Sequence, residues 1–153
     1  SLGGLTRETR LKVLELTAGK YATMFDTSMG FRHGPKSFLD DKTLLFDLVS
    51  NNAYTRQYDI DVLEEVKGDG IAKSVMAVGT KQDQNFSGDA FYFENGPKDL
   101  PEAYQALPDV MFAQTVALLA SIKVGNLPDT PSPTGTVNRV VKGVTLHDYA
   151  GKE

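Results

Sequence analysis

Two short, almost continuously apolar runs on either side of one helical stretch constrain this fold more than anything else in the chain. Residues 43–49 read Thr-Leu-Leu-Phe-Asp-Leu-Val, and residues 74–78 read Ser-Val-Met-Ala-Val. Runs this short and this apolar fit strands covered on both faces, the situation found in parallel sheets. Between them, residues 55–66 have helical periodicity, with Tyr58, Val62 and Glu65 in register and Gly68 and Gly70 to end it. Strand, helix and strand in that order imply an α/β sandwich with a mainly parallel sheet.

The remaining stretches extend that pattern. Residues 6–21 read as a helix, with Leu11, Leu14 and Ala18 on one stripe and Thr6 as the N-cap. Residues 22–27 and 90–93 are short strand candidates. Pro108 is placed to open a long apolar helix through Lys123, stopped at Gly125-Asn126. Within it, Met111, Phe112, Leu118 and Leu119 read as core packing. Residues 127–135 hold three prolines and should be extended, while residues 137–146 fit a short helix or a closing strand. Ser1 to Thr6 is a Gly-rich stretch entering a helix N-terminus, an arrangement that follows a strand in parallel α/β folds. The expectation is therefore a sheet lacking its first strand.

Composition removes several function classes. A length of 153 residues suits one domain. A net charge of -4 and a pI near 5.2 argue against a general nucleic-acid binder, which needs a basic face. With no cysteine, the chain has no disulfide, thiolate metal site or cysteine nucleophile, which suits a reducing cytoplasm. No apolar run reads as long enough to span a bilayer, and no signal peptide is evident, so the expectation is a cytoplasmic protein without a membrane partner.

Three groups of side chains could carry chemistry. Glu8, Lys12 and Glu15 lie at i, i+4 and i, i+7 and so share one helix face. Such a stripe is commonly a solvated ion-pair row, but a Glu beside a Lys can also act as a base whose neighbour steadies developing negative charge. His33 stands in Met29-Gly30-Phe31-Arg32-His33-Gly34-Pro35-Lys36, where Gly and Pro stiffen the turn around an imidazole able to exchange protons near neutral pH. Arg139 and Lys142 form a basic pair behind the prolines, and His147 reads as a surface residue. Asp40-Asp41 and Asp59/Asp61 lack supporting ligand spacing, so no metal or other cofactor is expected.

The helix from Arg7 to Lys20 (Arg-Glu-Thr-Arg-Leu-Lys-Val-Leu-Glu-Leu-Thr-Ala-Gly-Lys) followed by Gly30-Phe31-Arg32-His33-Gly34-Pro35-Lys36-Ser37 resembles the second half of double sugar-isomerase (SIS) proteins. The closest resemblance is to the tagatose-6-phosphate ketose/aldose isomerase family, also described as galactosamine-6-phosphate deaminase/isomerase. Further stretches are similar to that family: Tyr54-Thr55-Arg56-Gln57-Tyr58-Asp59, Ser121-Ile122-Lys123-Val124-Gly125-Asn126, Pro128-Asp129-Thr130-Pro131, and Gly135-Thr136-Val137-Asn138-Arg139-Val140-Val141. The isomerase half of glucosamine-6-phosphate synthase is a more distant relative.

The resemblance implies a three-layer SIS sandwich, with residues 1–126 forming a second SIS domain and residues 127–153 a tail that completes the active-site region. It implies Glu15 as the catalytic base, His33 as the ring-opening group and Lys142 as the tail lysine that forms an imine. Glu8, Lys12 and Arg32 become substrate contacts. The implied reaction moves a proton between adjacent sugar carbons through an enediolate, with ammonia released from an amino-sugar phosphate. The implied partners are a phosphorylated sugar or amino sugar, the N-terminal SIS half of the same protein and a further copy in a homodimer or higher oligomer. The competing expectations are a non-catalytic SIS module that senses a sugar phosphate and a purely structural half.

Overall fold

The computed structural model describes residues 2–94, 96, 98–137, 140–149 and 151. Its elements are α1 (Gly3–Leu16), α2 (Ser28–Arg32), a single 3-10 turn (Pro35–Phe38), β1 (Leu44–Leu48), α3 (Ala53–Asp69), β2 (Ser74–Thr80), β3 (Asp89–Phe93) and α4 (Glu102–Lys123). The strands form one parallel sheet in the order β1-β2-β3, with Phe46 opposite Met76 and Val78 opposite Phe91. The expected α/β architecture is thus present, with helices on both sides of a parallel sheet.

Strand alternation distributes the core between two faces. On one face, Leu45, Val49, Val75 and Ala77 meet Ile60 and Leu63 of α3 and Phe86 of the following loop. Toward its N-terminal edge, Leu45 and Val75 also meet Phe31 of α2 with Val62 and Val66. On the other face, Phe46, Leu48, Met76 and Val78 meet Leu2 and Leu5 of α1 and Phe112 of α4. The Phe112 ring stands edge-on to Phe46, with centroids 5.6 Å apart, and lies 5.3 Å from Phe91, so it ties α4 to β1 and β3. Helices α1 and α4 pack side by side in that layer.

Several boundaries differ from the sequence reading. Helix α1 begins with Gly3 and Gly4 inside its first turn, so they form no loop, and Thr6 turns its hydroxyl back to the Gly3 carbonyl instead of capping. Ser1 lies outside the described residues. The helix stops at Leu16 because Ala18 and Gly19 turn left-handed (φ 51° and 72°), letting the Gly19 amide close onto the Leu14 carbonyl at 2.9 Å. Its buried side is Leu2 and Thr9, and Leu11 is exposed. Residues 22–27 form no strand: no other strand lies beside them among the described residues, and Thr23 is held instead against Arg10 of α1. Helix α3 runs through Gly68 and ends at the left-handed Gly70. Residues 137 and 140–146 form neither helix nor strand, and Val140, Val141, Val144 and Leu146 are exposed among the described residues; Asn138 and Arg139 of this stretch lie outside them.

Helix α4 departs furthest. It starts after Pro101, and Pro108 sits inside it. Its buried stripe is Gln105, Asp109, Ala113, Ala117 and Ser121, whereas Met111, Leu118 and Leu119 are exposed. Small residues at four-residue spacing let a neighbouring helix approach closely, which suits the contact with α1. By length and composition alone the 22-residue helix is apolar enough to cross a bilayer, contrary to the sequence reading. The buried Asp109 and the seat against sheet and α1 place it in this α/β layer instead.

Candidate functional site

The implied site residues fall into three places. On α1, Lys12 Nζ lies 3.3 Å from a Glu8 carboxylate oxygen and 3.1 Å from one of Glu15. Helical spacing alone produces this row, and all three side chains remain substantially open to solvent. The Glu15 carboxylate, with Glu8 adding to it, holds the Lys12 ammonium above the ordinary lysine range against the opposing effect of burial. The group therefore keeps its positive charge between two acids at neutral pH.

His33 lies on the opposite side of the sheet. Thr27 caps α2 by accepting the Gly30 amide at 3.0 Å, and Asp26 accepts the Thr27 amide at 2.7 Å. A Cβ at Gly30 would stand 2.3 Å from an Asp26 carboxylate oxygen and 2.9 Å from the Thr27 hydroxyl, so a larger residue would have to displace the side chains that cap this turn. Phe31 then buries itself against Val62 and Val66 of α3. His33 follows at the end of α2, exposed, with Gly34 and Pro35 leading into the 3-10 turn. Arg32 is engaged by Glu65 of α3, its Nε donating to Oε2 at 2.8 Å, and Lys36 bridges Glu65 and Asp69. Lys36 first, and Arg32 second, hold the Glu65 carboxyl below the usual range. Arg32 thus anchors the His33 turn to α3.

Because α1 shares its layer with α4 while α2 packs on α3, the sheet stands between Glu15 and His33 within one chain. The stiff turn and the acid–lysine row are both present, but one copy does not bring them together. Lys142 is exposed in the tail, and Arg139 lies outside the described residues. Asn126 holds the start of the tail, donating to the Leu16 carbonyl at 2.7 Å and to the Pro131 carbonyl at 3.2 Å. This places residues 126–131 at the C-terminal end of α1, the end that carries Glu15. His147 is exposed, and Asp40 serves a turn by accepting from Thr43 and the Lys42 amide.

Two acidic features escaped the sequence reading. Asp47 of β1 and Asp59 of α3 converge on Ser28, whose hydroxyl contacts both, and the Ser50 amide donates to Asp59 at 3.0 Å. Burial, and then the Asp59 charge, push Asp47 up to about 7, with the Ser28 contact opposing. One hydroxyl proton cannot serve two carboxylates, so a proton on Asp47 best satisfies the pair. A polar residue inside an apolar strand run was the available signal. The second feature is Asp109, fully buried on α4 with neither oxygen hydrogen-bonded among the described residues, as is the Gln105 oxygen one turn earlier. Burial pushes Asp109 up to about 7.

These acids set a pH dependence of stability. A carboxyl whose folded pKa lies above its unfolded value of 3.8 binds its proton more tightly when folded. Its contribution is full below about pH 4 and is lost as pH rises toward about 7. Asp109→Asn should therefore flatten the fall in thermal stability between pH 5 and 8 and leave the variant ~2 kcal/mol more stable at pH 8. Melting curves at the two pH values check this; an unchanged slope would refute it.

No family model matches the chain. The D-galactosamine-6-phosphate deaminase AgaS of Escherichia coli is 47% identical over 148 residues, which is 97% of this chain and 38% of that protein. The enzyme of the same name from Shewanella sp. (strain ANA-3) is 38% identical over 97% of this chain and 36% of its own length. In structure, the chain resembles the tagatose-6-phosphate ketose/aldose isomerase from Escherichia coli with a TM-score of 0.82 and 41% identity, covering 97% of this chain and 37% of that one. The chain thus spans well under half the length of the relatives it matches. Nearly all of its residues align in sequence with these proteins and share their SIS-type parallel sheet, so the chain matches one part of the galactosamine-6-phosphate deaminases and tagatose-6-phosphate ketose/aldose isomerases.

Proposed function

We propose that this chain is the C-terminal SIS half of a phosphosugar aldose–ketose isomerase that deaminates an amino-sugar phosphate, galactosamine 6-phosphate going to tagatose 6-phosphate. The observation that carries the reading is the exposed Glu8–Lys12–Glu15 row on α1, in a chain whose relatives bear those enzyme names. Glu15 takes the proton from C2 of the open-chain amino sugar and returns it to C1, and a single carboxylate on one face of the enolamine suffices for both transfers. Lys12, kept charged by its two acids, steadies the enolamine oxygen at C1. Protonation at C1 leaves an imine at C2, and water hydrolyses it to the ketose and ammonia.

Lys142 in the tail provides the amine for a Schiff base with the ketose. Residues 1–126 form the second SIS unit and residues 127–153 the tail that reaches its site; the grip of Asn126 on the end of α1 supports that path. His33, which opens the sugar ring by moving the ring hydroxyl proton, lies across the sheet from Glu15 and so serves the site of a neighbouring copy. The sugar phosphate itself is held by the other SIS half.

The test uses the protein at its full coded length. Incubated with galactosamine 6-phosphate, it should release ammonia and form tagatose 6-phosphate, followed by coupled assay and proton NMR. Binding of the sugar phosphate with no turnover would leave a sensing module and would refute the enzyme.

A further inference from the structure

The acid pair of Asp47 and Asp59 is tied to the turn that carries His33. Asp47 stands between Leu45 and Val49 on the sheet face that α2 and α3 cover, and its strand partner is the uncharged Ala77. Ser28 is the first residue of α2. Its hydroxyl oxygen lies 3.4 Å from Asp47 Oδ2, a long contact, and tightly against Asp59 Oδ1. With a proton on Asp47 these groups form one directional chain. Asp47 donates to the Ser28 oxygen, Ser28 donates to Asp59, and the other Asp59 oxygen accepts the Ser50 amide at 3.0 Å. A single hydroxyl thus joins α2 to β1 and α3. Two more charges bear on the pair: Glu102 at the start of α4 raises Asp59, and Arg56 of α3 lowers it. Asp26, on the loop before α2, is engaged by the Thr27 amide.

Helix α2 is short enough to move as one body. The Phe31 amide donates to the Thr27 carbonyl at 2.8 Å and the His33 amide to the Gly30 carbonyl at 3.1 Å, so a shift at Ser28 reaches His33 about 7.5 Å along the helix. Phe31, buried against Val62 and Val66, is the pivot between them. At the His33 end, the Arg32–Glu65 pair is partly open to solvent and holds weakly. We propose that Asp47 is a positioning residue for His33: its proton, handed through Ser28 to Asp59, holds the His33 turn in place, and loss of that proton frees the turn. The proposal rests on the functional reading that gives His33 the opening of the sugar ring. Without its proton, Asp47 turns a charged oxygen on the Ser28 lone pairs beside a second carboxylate, and one hydroxyl cannot satisfy both. Burial, and then the Asp59 charge, bring that proton loss to about pH 7. The turn is therefore held below this pH and released above it.

The test is hydrogen exchange by mass spectrometry on the protein at its full coded length, corrected for the intrinsic pH dependence of exchange and paired with kcat for ammonia release from galactosamine 6-phosphate. Protection of residues 28–33 in the parent should fall on the order of tenfold between about pH 6 and pH 8.5. Asp47→Asn, whose amide donates to Ser28 at every pH, should stay protected throughout. Ser28→Ala, which breaks the chain, should be unprotected throughout. Peptides from α3 show whether each variant is folded, and either variant alone decides the outcome. The alkaline limb of the kcat profile should move to higher pH in Asp47→Asn with KM unchanged, and Ser28→Ala should lower kcat at every pH. Parent protection that ignores pH, or a pH dependence that survives in both variants, would overturn the proposal. So would pH-independent exchange in Asp47→Asn alongside the parent's kcat profile. The expected exchange pattern in a protein without turnover would leave the clamp and remove the enzyme. An active protein with pH-independent exchange would do the reverse.

Discussion

Replacing Glu15 by Gln in the full-coded-length protein is expected to lower kcat on the order of 10³-fold, which is ~4 kcal/mol of transition-state stabilisation. Gln keeps the shape of Glu and can still accept the Lys12 hydrogen bond, so KM should change little. What it cannot do is hold the proton between the two sugar carbons. Exchange of the substrate's carbon-bound hydrogen with solvent deuterium should vanish along with turnover, which separates loss of a base from loss of binding. The fold should tolerate the change, because Lys12 and Glu15 are 36% and 43% exposed and such a pair is worth at most ~1 kcal/mol. Activity within tenfold of the parent, with exchange retained, would remove Glu15 from the role of base. Lys12→Met should give a smaller loss, since it removes the counter-charge and leaves the base.

Why some of this was legible in the sequence and some was not follows from what each segment packs against. Strands β1 and β2 were readable because a strand covered on both faces needs an apolar residue at nearly every position. Asp47 broke that run, and the break marked a buried acid pair. Helix α4 was misread in a systematic way. Its inward stripe is Gln105, Asp109, Ala113, Ala117 and Ser121, small or polar residues suited to a close helix contact, while Tyr104, Leu107, Met111, Leu118, Leu119 and Ile122 are exposed and Phe112 alone of the expected core residues packs on the sheet. Hydrophobic periodicity reports which face is apolar; it does not say whether the covering surface belongs to the same chain. Pro108 misled for another reason: proline is favoured in a first helical turn, but here Pro101 already precedes the helix. The candidate site was legible as residues and illegible as a place. Spacing along α1 brought Glu8, Lys12 and Glu15 together, yet nothing in the order of residues revealed that the segment after α1 carries His33 to the other side of the sheet.

Arg56→Met should destabilise the fold by ~4 kcal/mol, lowering Tm by about 10 °C or more for a domain of this size. The residue is 1% exposed, and its guanidinium reaches four acceptors. Nε donates to the Gln84 carbonyl at 2.6 Å, Nη1 to the Ser50 carbonyl at 3.0 Å, and Nη2 to the Thr80 carbonyl at 3.2 Å and to Asn85 Oδ1 at 3.0 Å. The Ser50 carbonyl lies just past the end of β1 and the Thr80 carbonyl at the end of β2, and the other two acceptors belong to residues 81–88, the short helix-free link from β2 to the parallel β3. That link stays folded because Phe86 plugs the core from inside and Arg56 holds the backbone from beneath. Methionine fills similar volume but takes this donor from the buried Ser50 and Thr80 carbonyls, each costing about 1–3 kcal/mol before relaxation. Arg56→Lys should recover only part of the loss, because one ammonium cannot span acceptors arranged for a planar fork. Chemical denaturation gives the stability, and proteolysis should cut first within residues 81–88. A Met variant within 1 kcal/mol of the parent would show that solvent, not Arg56, satisfies the ends of the strands.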